Sequence, residues 1–125
     1  MNVPANLLFT KDHEWIKIEG SEALIGITDY AQTELGEIVY VELPSVGDSI
    51  AMESTFGTVE AVKAVSDLFM PVSGEVLDIN KMLEDKPELI NEDPYGEGWM
   101  IRIKLNNPAE TDSLLSPEAY SQIIH

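Results

Sequence analysis

Breaks govern what this chain can fold into. Between residues 14 and 79 glycine, proline or a polar turn repeatedly interrupts the apolar pattern. The segments left between the breaks are short and rich in β-branched residues, which favours strands packed in layers over long helices. EWIKIE at 14–19 alternates polar and apolar residues as a half-buried strand does. After a Gly20-Ser21 turn, ALIGI at 23–27 is a more continuous apolar strand. EIVYVEL at 37–43 is the strongest strand, and Pro44 ends it. Val46-Gly47-Asp48 is a turn. FGTVEA at 56–61 and VSDLFM at 65–70 are two strands joined by a tight connection near Lys63, the second ended by Pro71 and Ser73-Gly74. WMIRIK, within 98–105, is a returning strand.

Helical signals are short. Asp29 is placed to cap a turn of helix running to about Leu35, where Gly36 stops it. Residues 81–89 predict a short helix and a loop around Pro87, and Asp93-Pro94-Tyr95-Gly96 has turn chemistry. Asn107, Pro108 and Glu110 supply an N-cap, a first-turn proline and an acid at the third position. Ser116-Pro117-Glu118 opens a last helix toward Ile124, with Tyr120, Ile123 and Ile124 spaced to face the sheet. Trp15 and Trp99 are expected in the core. Gly36-Glu37-Ile38-Val39 resembles Gly74-Glu75-Val76-Leu77, a weak repeat that suits two interlocked β-units. No linker divides the chain, so residues 1–125 are expected to form one domain.

Composition removes whole classes of function. The 23 acidic residues against seven basic ones give a net charge of −16, which repels nucleic acid and anionic membranes. The same charge serves solubility or steers the chain toward basic docking faces. No apolar run is long enough to span a bilayer. The start, Met1-Asn2-Val3-Pro4, has neither the basic nor the apolar region of a signal peptide. A bacterial cytoplasmic protein is expected, or a mitochondrial matrix protein from which a transit peptide has been removed. Cysteine is absent, so sulfur redox chemistry would require an attached cofactor. The only histidines are His13 and the terminal His125, too few for an imidazole metal site. Asp48, Glu53 and Asp85 lack the spacing of a calcium loop. No nucleophile elbow and no phosphate-cradling glycine loop is present, so neither an enzyme nor a metal protein is expected.

Lys63 stands out. It is one of six lysines and sits in EAVKAVSD, at the centre of an apolar stretch. Taken alone, it is either a solubilising turn residue or an amine held out on a hairpin tip for covalent modification. The stretch FGTVEAVKAVSDLFMPVSGEV resembles the lipoylation segment of glycine cleavage H proteins, which commonly reads V-E-S-V-K-A, then S-D, then P-x-S-G-E-V. KDHEWI, GITDYAQTELGEIVYVELPSVGD and INEDPYGEGWMIRIK resemble the same family, in the same order. Ala61 departs from the common serine, and Phe69-Met70 is bulkier than usual before the proline.

The resemblance implies a mainly β lipoyl-domain-like fold, a barrel-sandwich hybrid with short helices that include a C-terminal one. It implies lipoate attached through an amide to Lys63. It implies three partners: glycine decarboxylase (P protein), which loads an aminomethyl group on the arm; aminomethyltransferase (T protein), which removes it; and dihydrolipoamide dehydrogenase (L protein), which reoxidises the dithiol. A lipoate-attaching enzyme is a fourth, and a monomer is expected. In the family, acids near the N-terminal strand and just past the lysine face the bound amine. The matching positions are Glu14 and Asp67, with Asp12 nearby.

Other readings stay open at this level. A biotin carrier would place methionine on both sides of the lysine, where Val62 and Ala64 stand. A lipoyl domain of a 2-oxoacid dehydrogenase would be tethered to further domains. An H-like carrier of another pathway, in lipoyl relay or sulfur oxidation, and a cofactor-free acidic binding module remain alternatives.

Overall fold

Short β-branched segments separated by tight turns bury apolar surface by layering sheet on sheet. The computed structural model describes residues 2–124, so Met1 and His125 and the expectations that rest on them lie outside it. In chain order the elements are β1 (Leu8–Phe9), β2 (Glu14–Glu19), β3 (Glu22–Ile27), α1 (Asp29–Leu35), β4 (Ile38–Glu42), β5 (Ser49–Ile50), β6 (Thr55–Ala61), β7 (Val65–Phe69), β8 (Gly74–Ile79), α2 (Met82–Asp85), α3 (Leu89–Glu92), β9 (Ile101–Leu105), a 3-10 helix (Pro108–Ser113) and α4 (Pro117–Ile124). A six-stranded sheet runs β1-β2-β3-β9-β8-β5 and a three-stranded sheet runs β4-β6-β7. The two Gly-Glu repeats lead into β4 and β8, one in each sheet. This is the mainly β, two-sheet architecture with a C-terminal helix that the chain pattern predicts.

The main core lies between the sheets. Ile16, Ile25, Ile101 and Ile103 from the larger sheet meet Ile38, Val59 and Leu68 from the smaller one. A second cluster, Leu7, Phe9, Trp15 and Tyr120, covers the other face of the larger sheet, where α4 packs. Phe9 and Tyr120 stack with centroids 4.7 Å apart.

That second layer corrects the reading of β2. The strand is not half-buried at its start, because Trp15 and Ile16 point to opposite faces and both are buried. Alternation reports the solvent side of a sheet only where one side meets solvent. Trp15 is core as expected, with its indole Nε1 donating to Pro94 O at 2.9 Å. Trp99 is only partly buried, at the edge of the same cluster. Tyr120 and Ile124 face the sheet, but Ile123 is exposed.

Caps differ in detail. Thr28, not Asp29, caps α1: its backbone is extended and its hydroxyl accepts from Ala31 N. Asp29 is the first helical residue, where its charge suits the helix dipole. Gly36 ends the helix at φ +84°, as expected. Asn107 caps the segment after it, with Pro108 at its start, yet the product is a 3-10 helix. Glu110 closes no capping box; its carboxylate accepts from Ser73 N and Ser73 Oγ. The region after β8 holds two helices, α2 and α3, where the sequence predicts one.

Candidate functional site

β6 and β7 form the hairpin that presents Lys63. Glu60 pairs with Val65, Val59 with Ser66 and Thr58 with Asp67. Ala61 N donates to Ala64 O at 2.7 Å, closing a two-residue tip of Val62 and Lys63. Val62 N donates to Glu37 O at 3.0 Å, which ties the tip to the entrance of β4. Lys63 is exposed, and among the described residues its ammonium has no hydrogen-bond or ion-pair partner.

Gly36 serves this lysine as well as the helix it terminates. A Cβ at Gly36 would stand 3.1 Å from Lys63 Cε, so the absent side chain leaves room for the lysine stem. Asn91, on α3, fixes this stretch of backbone. Its amide nitrogen donates to Gly36 O at 2.8 Å, and its oxygen accepts from Ile38 N at 2.9 Å. Sequence reading missed Asn91, because nothing local marks a side chain that bridges 55 residues.

The far end of β7 reaches a cavity of about 250 Å³ between the sheets and the C-terminal segment. Phe9, Met52, Phe69, Met70 and Leu114 supply apolar wall, and Asp12, Glu14 and Glu53 supply carboxylates. Phe69-Met70, the bulky departure from the family pattern, is therefore part of this wall. Glu53 takes a left-handed φ of +70°, held by its N–H to Met70 O and by Met70 N to Ser54 O. Without a glycine at that turn, no sequence signal marked Glu53 as a wall residue. From Val65 to Phe69 the strand spans about 13 Å, so tip and cavity lie within reach of a long acylated lysine.

Glu14 is the unusual group. It shares a face of β2 with Ile16, points into the interior and is only 2% exposed. Thr10 Oγ1 donates to Oε1 at 2.6 Å, and Phe69 N donates to Oε2 at 3.2 Å, linking β2 to β7. Burial pushes its carboxyl up to about 7; the two donated hydrogen bonds oppose this and the charge of Asp12 adds to it. Asp12 lies in the loop between β1 and β2, exposed, with its N–H donating to Thr10 Oγ1. Asp67 does not join them. It is exposed midway along β7, opposite Thr58, and is not part of the cavity wall.

His13 takes no part in a nucleophilic triad. It adopts φ +70° in that same loop, and its Nδ1 lies 2.8 Å from Tyr120 Oη, which lies 2.7 Å from Thr28 Oγ1. Burial lowers its pKa, against the opposing pull of Asp12 and Glu34. The loop that carries Asp12 and leads into Glu14 is thereby anchored to α4 and to the cap of α1.

A carboxyl raised in this way gives stability a definite pH slope. Between 4.5 and about 7 the folded chain keeps a proton on Glu14 that the unfolded chain has released. Glu14's contribution to stability therefore falls as pH rises through that window, and is constant above it. Glu14→Gln cannot ionise and is expected to lack the slope. Urea denaturation of both proteins should show the difference in stability moving about 3 kcal/mol in the variant's favour between about pH 4 and about pH 8. An unchanged difference would refute the shifted carboxyl.

Comparison with known proteins bears on the family and the overall fold. The family model described as glycine cleavage H-protein matches residues 7–125. The glycine cleavage system H protein of Chlorobaculum tepidum is 56% identical over 126 residues, covering 99% of this chain and 98% of its own length. That of Carboxydothermus hydrogenoformans is 53% identical over 122 residues, covering 98% and 94%. The crystal structure of a glycine cleavage system H protein from Mycobacterium marinum superposes with a TM-score of 0.88 at 36% identity, covering 96% of this chain and 97% of that one. With the match extending over nearly its whole length, the chain belongs to the glycine cleavage H-protein family.

Proposed function

We propose that Lys63 carries lipoate in amide linkage and that this chain is the shuttle of the glycine cleavage system, a carrier and not a catalyst. The arm takes an aminomethyl group from glycine decarboxylase to aminomethyltransferase and is reoxidised by dihydrolipoamide dehydrogenase. When attached, lipoate supplies the disulfide chemistry that a chain without cysteine lacks. The observation that carries the reading is the free ammonium of Lys63 on a hairpin tip fixed by backbone bonds on both sides. An attaching enzyme needs such an accessible, positioned amine. The bacterial relatives support action in the bacterial cytoplasm.

The residues present also fit the arm. The apolar wall of Phe9, Met52, Phe69 and Leu114 would shelter an alkyl chain and its sulfur ring from water. Glu14 and Asp12 would face an amine at the same place. Glu14, poised at about 7, would ionise on meeting a cation, since a nearby positive charge favours the carboxylate. Asp67 would flank the path along β7 between tip and cavity.

The test is intact-mass measurement after incubation with a lipoate-attaching enzyme, lipoate and ATP, followed by peptide mapping. A single lipoyl increment on Lys63 is expected. No increment, beside an authentic H protein modified under the same conditions, would overturn the proposal.

A further inference from the structure

We propose that Tyr120 is a positioning residue for the arm site: from behind the cavity it holds three pieces of the wall in place, and with them the carboxylates that would face a loaded amine. The inference rests on Lys63 as the point of attachment and adds what keeps the cavity closed around the end of the arm.

Tyr120 is fully buried and is not itself part of the cavity wall. It reaches three wall pieces from outside. Its ring stacks on Phe9 with an interplanar angle of 8°. Its hydroxyl lies 2.8 Å from Nδ1 of His13, the residue between Asp12 and Glu14. Its helix, α4, follows directly on the wall residues 113–115. Leu115 is bridged back to Phe9 by two backbone bonds, Phe9 N to Leu115 O at 2.9 Å and Leu115 N to Phe9 O at 2.7 Å. Wall pieces from opposite ends of the chain thus converge on one side chain.

The hydroxyl is the part that governs the carboxylates. Thr28 Oγ1 lies 2.7 Å away on its other side. With one proton and free lone pairs, the hydroxyl donates to one neighbour and accepts from the other. Burial pushes its pKa up to about 12, so the proton stays. His13 needs this hold, because its φ of +70° is a left-handed backbone that a non-glycine residue rarely keeps unless its surroundings impose it. The turn made there delivers Glu14 buried at the start of β2, and burial is the main cause of its raised pKa. Lys11, Asp12 and Glu53 are the other charged groups lining the cavity, and the Tyr120 hydroxyl is the titratable group behind it. Relaxing the turn would admit water to Glu14 and to an amine beside it.

The first readout needs no lipoate: a ¹³C NMR titration of the Glu14 carboxyl, assigned by the loss of its signal in Glu14→Gln. Tyr120→Phe keeps the ring stack and removes the hydroxyl, and His13→Ala removes the same bond from the other side. In both, the Glu14 midpoint is expected to fall from about 7 by about one unit. His13→Asn should stay near wild type, since an asparagine δ atom stands where Nδ1 does and asparagine accepts the left-handed backbone. Ile90→Val, buried in α3 away from the cavity, costs comparable stability and should leave the midpoint unmoved. The second readout uses the carrier lipoylated and loaded by glycine decarboxylase, without aminomethyltransferase. Water then splits the aminomethyl thioether into thiol, formaldehyde and ammonia, and Tyr120→Phe should release ammonia about fivefold faster than wild type. A wild-type Glu14 midpoint in Tyr120→Phe would overturn the proposal, as would wild-type ammonia release. A shift in Ile90→Val as large as in Tyr120→Phe would overturn it too, since the effect would then be general loosening, and so would His13→Asn behaving as His13→Ala. Failure of the wild type to accept lipoate would instead remove the assignment of Lys63, with the Glu14 titration still deciding what Tyr120 does.

Discussion

Lys63→Arg is expected to fold as stably as the parent chain and to support no glycine cleavage. The substitution keeps a positive charge at an exposed position whose ammonium has no described partner, so its effect on stability should stay within about 0.5 kcal/mol. Guanidinium is a very poor acyl acceptor at neutral pH, because it stays protonated and its nitrogens share the charge. Arginine thus preserves everything the ammonium does by charge and removes what it does by acylation. A reconstituted assay with glycine decarboxylase, aminomethyltransferase and dihydrolipoamide dehydrogenase should fall to background, while circular dichroism and thermal melting remain those of the wild type. Retained turnover in the arginine variant would mean that another group carries the arm. A shared loss of turnover and folding would mean that Lys63 has a structural role that its exposure gives no sign of.

Gly57→Ala should have the largest effect on stability among the glycine substitutions, for a reason confined to the meeting of two strands. Gly57 lies at the register shift of β6, between the pairs Thr55–Phe69 and Gly57–Leu68. A Cβ placed there would overlap the backbone carbonyl oxygen of Glu42 and sit 3.6 Å from Leu43 Cα. Backbone cannot rotate aside as a side chain can, so β4 and β6 would have to separate. Overpacking of this kind typically costs about 1–3 kcal/mol, and the backbone obstacle puts this case at the upper end. For a chain of this length that corresponds to roughly 10 °C in Tm. Gly47→Ala is the matched control. It has a φ of +97° but open space around it, so it should pay only the smaller conformational penalty, about 1 kcal/mol. A Gly57→Ala melt equal to that of Gly47→Ala would show that β4 and β6 have slack that the register does not suggest.

Gly36 and Gly57 separate what can be read along a chain from what cannot. Gly36 is legible as a helix stop because capping is local and rests on a left-handed φ. Its second role, leaving room for the Lys63 stem, depends on a residue 27 positions later. Gly57 reads only as a glycine in a strand; its necessity comes from a neighbouring strand's carbonyl. The lysine is singled out by the motif around it, and Glu14 and Asp12, two residues apart, line one cavity. Asp67 does not, because its place in the β6–β7 register turns it outward. Glu53, Met52 and Leu114 entered the cavity wall unannounced, since segments far apart in sequence converge there.

By itself the sequence determined the longer strand segments, though not the two-residue strands β1 and β5, together with the turns that end them, the hairpin around Lys63, the acidic character and the family. Those are set by periods of two residues, by the backbone preferences of glycine and proline, and by contiguous motifs. Tertiary structure alone decided that both faces of β2 are covered, that Glu14 is held uncharged up to about pH 7, and that tip and cavity lie at opposite ends of one strand. Burial and long-range register are properties of which segments meet. Meeting is a collective outcome of packing that no stretch of a dozen residues encodes alone.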